Sequence, residues 1–197
     1  MNSKGIALWA ARPTHTGPKA RTAVLAVVVA VLSGSPAAAV PRGSSTAGEA
    51  LSLCERADNL IGDEREQVLA RGMTLAEQAL TADPHDARAH FAKVCNLGKQ
   101  MEAAGIGIGQ LVSLRRLRNE LDTTLELAPD DADAMVAKGA LLLQLPRLFG
   151  GDAAQAEQLL RRALAAEPEN GTARCYLAQA LTARGAEDEA KALAPHC

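Results

Sequence analysis

The residues able to do chemistry in this chain are four cysteines, four histidines, a glycine-rich run and two charge clusters. Gly105, Gly107 and Gly109 alternate with isoleucine. A phosphate loop would need a strand before them and Gly-Lys-Ser/Thr after them, and neither is present, so the run reads as a turn between helices. Asp130, Asp131 and Asp133 lack the alternating spacing and closing glutamate of a calcium loop. They stand at a helix start, where acids complement the dipole. His85 and His90 are five residues apart, which puts them on different helix faces and argues against a zinc pair. His15 lies near the amino terminus and His196 beside Cys197 at the other end. No serine sits in a Gly-x-Ser-x-Gly elbow. These residues point to no catalytic centre, no metal site and no cofactor, and the expectation is a protein that is not an enzyme. Arg115, Arg116 and Arg118 form a basic cluster whose forked guanidiniums suit carboxylates; the alternative is a solvated helix face.

The cysteines are Cys54, Cys95, Cys175 and Cys197. Their use depends on the compartment, and residues 1–39 bear on that. Lys4, Arg12, Lys19 and Arg21 precede or flank an apolar run at 23–32, and no acid accompanies them. Gly34, Ser35 and Pro36 break the run, and Ala37 and Ala39 make a small-x-small site, so cleavage is expected after Ala39. The run is short for a membrane span, which needs about 20 residues; an uncleaved anchor is the alternative. Cys54 follows Leu53 and lies far from the apolar run, so it is no lipidation site. The expected location is periplasmic or secreted, where disulfides persist. Four cysteines allow three pairings. Folding the last two helices antiparallel about Gly185 brings Cys175 toward Cys197, which leaves Cys54 with Cys95. The alternative for Cys54 and Cys95 is a pair of buried thiols.

The elements that position these residues are helical. Hydrophobic residues make up 48% of the 197-residue chain and aromatics only 2%. An Ala/Leu-rich chain of this kind favours helix over sheet. Removing the four basic leader residues from 21 leaves 17 against 23 acids, a net charge of −6. A mildly acidic product of this kind is not built for nonspecific nucleic-acid binding and does not suggest attraction to anionic membranes. Residues 40–48 read as a flexible linker. Apolar residues then recur at helical spacing over 49–61, 64–81, 86–104, 110–127, 131–145, 170–184 and 186–193, and the stretch 145–168 supplies the sixth helix with Ala153, Ala156, Leu159, Leu160 and Ala163 at that spacing. The first stripe includes Leu51, Cys54, Ala57, Leu60 and Ile61; the fourth includes Leu111, Leu114, Leu117, Leu121 and Leu125. Residues 195–197 form a short tail. Between the fifth and sixth helices Pro146 stops the chain, Leu148 and Phe149 are expected to plug the loop onto the core, Gly150 and Gly151 turn it, and Asp152 caps the next helix.

Three helix ends share a pattern: LTADPHDARA at 80–89, LELAPDDADA at 125–134 and LAAEPENGTA at 164–173. This is an internal repeat of helix pairs. It resembles the tetratricopeptide repeat family, whose unit is a helix–turn–helix of about 34 residues ending in proline. Ala178, Gly185 and Ala190 match the last unit, and Gly139, Ala156, Leu160, Ala163 and Pro168 the one before; Gly72, Ala79 and Pro84 fit the first. Leu117 and Thr124 stand where small residues are usual. The resemblance covers residues 49–193 and implies an all-α solenoid of about four antiparallel helix pairs, with no sheet. It also implies a concave surface lined by the first helix of each pair. Aligned positions give Arg88, Phe91, Cys95 and Lys99, then Asp133, Val136 and Gln144, then Thr172 and Gln179. The implied role is a non-catalytic scaffold for a protein or peptide. The loop at 145–152 is also similar to the TatT component of TRAP-type solute transporters, a periplasmic helical-repeat protein, which implies a small organic acid as the alternative ligand. The sequence sets no oligomeric state.

Overall fold

The computed structural model describes residues 44–104 and 110–193, all within one compact unit. Residues 1–43, 105–109 and 194–197 lie outside it. The leader, residues 40–43 of the linker, the glycine-rich turn and the tail with Cys197 therefore fall outside the described residues. Among those described there are eight α-helices, two short 3₁₀ turns and no strand. They are α1 (Ser45–Arg56), α2 (Gly62–Ala82), α3 (Ala87–Ala104), α4 (Gln110–Leu127), α5 (Ala132–Gln144), α6 (Ala153–Ala166), α7 (Gly171–Ala183) and α8 (Glu187–Leu193). None is long and apolar enough to cross a membrane.

Each helix packs on the next, and α1 also packs on α3, as α5 does on α7. That is the stacking of paired helices the repeat implies. Three turns show why it recurs. At each, the residue two after the proline caps the following helix: Asp86 accepts from the Ala89 N–H at 3.1 Å, Asp131 from Ala134 at 2.8 Å and Asn170 from Ala173 at 2.9 Å. The alanine that donates is fully buried in all three. The preceding helices close identically, with Asp83, Ala128 and Glu167 donating to Ala79, Thr124 and Ala163. Thr124 is as buried as the two alanines because its hydroxyl donates to the Glu120 carbonyl at 2.7 Å. Its polar atom is thus satisfied within its own helix. Leu117 is buried too, so the middle unit keeps the register despite its larger residues.

The core sits between helices rather than under one. Phe91 and Val94 of α3, Leu117 and Leu121 of α4 and Ala134 of α5 form one cluster. The first pair is bound to the second by chemistry of a different kind. Cys54 and Cys95 form a disulfide with Cα atoms 6.1 Å apart, joining α1 to α3. Beside it the Lys99 ammonium is buried, donating to the Cys54 carbonyl at 2.8 Å and to Asp58 at 2.5 Å. A cation at the carboxyl end of α1 complements that helix's dipole.

Two expectations about the first helix fail. The linker does not extend to Gly48: α1 starts at Ser45, because the Ser44 hydroxyl accepts from the Ala47 N–H at 3.1 Å and Asp86 accepts from the Ser44 N–H at 2.8 Å. Ile61 is not on the apolar stripe. The helix tightens into a 3₁₀ turn at Ala57–Asn59, and Ile61 follows in extended backbone, 88% exposed, before Gly62 turns at φ +58°.

Candidate functional site

On α4, Leu111, Leu114, Arg115, Arg118, Asn119 and Asp122 fall at i, i+3, i+4, i+7, i+8 and i+11 and so form one stripe. They line an open cleft of about 330 Å³ together with Phe149 from the loop between α5 and α6. The loop is held there by four devices. Pro146 ends α5, and a 3₁₀ turn runs over Arg147–Phe149. Gly150 adopts φ +86°, and the Arg118 guanidinium occupies the space a side chain would need: a Cβ would lie 2.5 Å from Nη1. That lets Arg118 donate to the Phe149 carbonyl at 3.1 Å. At Gly151 a Cβ would lie 1.8 Å from the Leu145 carbonyl oxygen, a contact no side chain could make, and the Asp152 N–H then closes the loop on Leu142 at 3.1 Å.

Asp152 caps α6 as expected, accepting from Ala154 at 2.8 Å and Gln155 at 3.0 Å. Those two backbone bonds hold its carboxyl below the usual range. Phe149 does not plug the core. It is 49% exposed and Leu148 is 89% exposed, because the backbone bonds that anchor the loop aim both side chains outward. Across the cleft Leu111 is 53% and Val112 67% exposed, so the start of the α4 stripe leaves the core it was expected to join. The result is an apolar surface with arginines along its rim. Arg115 and Arg116 are exposed and make no ion pair among the described residues. The one acid in the cleft, Asp122, is matched by Lys138 at 2.6 Å. Glu120 points away, taking His90 at 2.6 Å and Lys93 on the α3 side.

Residues 150–194 match the tetratricopeptide repeat family. No curated protein matches it as a relative. The match spans α6 to α8, and the three equivalent capped turns carry the same helix-pair register back into α2.

The first helices of the stack are α1, α3, α5 and α7, and their expected groove is only partly surface. Arg88, Asp133, Gln144 and Gln179 are exposed and Thr172 is half-buried. Phe91 and Val136 are buried in the core, and Cys95 is consumed by the disulfide. Lys99 is buried against the end of α1, so its charge faces no ligand. These four do not line a groove: Phe91 packs with Leu117 and Leu121 of α4, Cys95 and Lys99 are held against α1, and Val136 is buried. Residues the sequence did not single out meet there instead. Burial pushes the Tyr176 phenol above its ordinary value, the Glu102 charge adds to this, and a hydrogen bond with Gln144 opposes it. Arg65 reaches Glu102 at 3.7 Å. Tyr176 is the chain's single tyrosine, which was the available signal. Gln179 and half-buried Cys175 line a second, more open hollow of about 580 Å³ with Thr182, Glu187 and Lys191. Glu187 and Lys191 pair with each other at 3.3 Å. The expected partner of Cys175 is Cys197, which lies outside the described residues. Among the described residues no cluster of three or more histidine, cysteine or acidic side chains could hold a metal ion.

Proposed function

We propose that this protein is an exported, non-catalytic scaffold that holds a protein or peptide partner on its stacked helices. The observation that carries this reading is the tetratricopeptide repeat itself, since stacked helix pairs present extended surfaces suited to chains rather than to small reactants. Export rests on the composition of residues 1–39. The Cys54–Cys95 disulfide supports it, because such a bond is durable in oxidising compartments and is reduced in the cytosol.

Two measurements test it. Amino-terminal sequencing of the product from the cell envelope or medium should begin at Val40; recovery of the whole chain inside the cell overturns export. Affinity purification of that product, disulfide intact, should recover a stoichiometric protein partner. A retained small organic acid in native mass spectrometry, with no protein partner, overturns the scaffold in favour of a solute-binding accessory role.

A further inference from the structure

We infer that the cleft between α4 and the loop at 146–152 is a docking site for an acidic segment of a partner protein that carries apolar side chains. This rests on the scaffold reading and adds to it a place and a ligand chemistry. The place differs from the groove of first helices: α4 is the second helix of its pair, and the loop is an insertion between α5 and α6.

Three observations converge. The floor is apolar, made by exposed Leu111 and half-buried Leu114 on one side and exposed Phe149 on the other. The rim is cationic: among the described residues Arg115 and Arg116 have no ion-pair partner, and Arg118 donates to the Phe149 carbonyl and makes no ion pair. In a chain whose charge after the leader is −6, a local excess of arginine is a complementary surface for carboxylates. Planar guanidinium forks take carboxylates with two parallel bonds, which fixes their orientation. Asp122 does not cancel this, because Lys138 already neutralises it. Finally, Val112 and Leu148, the chain neighbours of Leu111 and Phe149, are exposed apolar side chains outside the cleft lining. A small acid would cover the floor and leave these exposed, whereas an extended segment covers all of them. The loop is also preset for the task. Gly150 and Gly151 hold it by close backbone approach, so little order has to be gained on binding.

The probe is a capped, fluorescein-labelled peptide alternating glutamate and leucine, titrated by anisotropy against the disulfide-intact exported protein. Saturable binding is expected, weakened about tenfold or more in Arg115→Glu and again in Phe149→Ser. It should weaken further as salt rises from about 50 to about 500 mM. Both residues are exposed, so an unchanged circular dichroism melt certifies that each variant folds. Equal binding of the matching lysine–leucine peptide, or no loss in either variant, overturns the proposal. Loss instead in Gln144→Arg or Gln179→Arg overturns the cleft but leaves the scaffold standing. Failure to bind the peptide, together with recovery of no protein partner, overturns both.

Discussion

The seam between α1, α2 and α3 and the seam between α5 and α6 pose the same packing problem and answer it with different chemistry. In each, a glycine lets another helix come close. At Gly139 the notch is filled by Leu160, whose Cγ lies 2.8 Å from where a Cβ would be. At Gly72 it is filled by the Asn96 amide, with Oδ1 2.2 Å from that position. The Asn96 side chain is fully buried, and its Nδ2 donates to the Ala50 and Ala92 carbonyls at 3.2 and 2.8 Å. Its oxygen has no hydrogen-bond partner among the described residues. The amino-terminal seam adds a disulfide and a buried ammonium; the carboxy-terminal seam is alanine and leucine, with an exposed ion pair between Arg162 of α6 and Asp130 just before α5 at 3.8 Å. The apolar seam is held mainly by buried area, so it does not depend on oxidation. The polar seam specifies its partners more narrowly and depends on oxidation and pH.

The strongest way to break the symmetry is to remove the bond. Replacing Cys54 and Cys95 by alanine, or reducing them, frees a loop of 41 residues and should cost about 4 kcal/mol on the chain-entropy account. Hydrogen exchange should show α1 to α3 losing protection while α5 to α8 keep theirs; uniform loss would mean that the two seams are one cooperative unit. Leu160→Ala comes next, at about 3 kcal/mol from lost burial and a residual cavity, and its denaturant midpoint shift should be the same with and without reductant. Asn96→Ala should cost less, about 2 kcal/mol, because it leaves two helix carbonyls short of a donor but relieves the crowded oxygen. A stabilised variant would show that Asn96 serves partner choice rather than stability.

The smallest effect is on pH dependence. Burial raises the Glu120 carboxyl, but hydrogen bonds from His90 and Lys93 and their charges outweigh it and hold the group below its ordinary value of 4.5. At Asp86, too, burial is the largest influence and is outweighed, there by bonds from Ser44, Ala89 and Arg88, so that it lies below 3.8. A carboxyl lowered in the folded state contributes stability above its unfolded value, and that contribution is lost as pH falls through the folded one. Melts between about pH 5 and pH 3 should therefore weaken the amino-terminal half, by about 1 kcal/mol or less at Glu120 after solvent screening. Glu120→Gln should flatten that slope; an unchanged slope would assign the acid sensitivity to other groups.

Much of the fold was legible because it rests on local rules. Asp86, Asp131 and Asn170 stand two residues after a proline, and capping needs only a short polar side chain at that point. Asp152 is readable for the same reason. The start of α1 was missed although Ser44 is a capping residue, because the Ser/Gly composition around it matches a linker equally well. The Cys54–Cys95 pair followed from the number of cysteines and the closure assumed for the other two. The cleft was half legible. Arg115, Arg116 and Arg118 form a visible cluster, but nothing local says that Phe149 lies beside them. That depends on Arg118 crossing from α4 to a loop about thirty residues away, into space left by Gly150.

By itself, then, the sequence determined the helices, their pairing and the repeated capped turns, since periodicity and capping act within a few residues. Tertiary structure decided which side of the surface each side chain lies on. Phe149 and Leu111 are apolar and outside; Asn96 and Lys99 are polar and inside. Burial is set by what other helices bring within reach: the disulfide and the carboxyl end of α1 enclose Lys99, and backbone bonds at the end of α5 hold Phe149 in the lining of the arginine cleft.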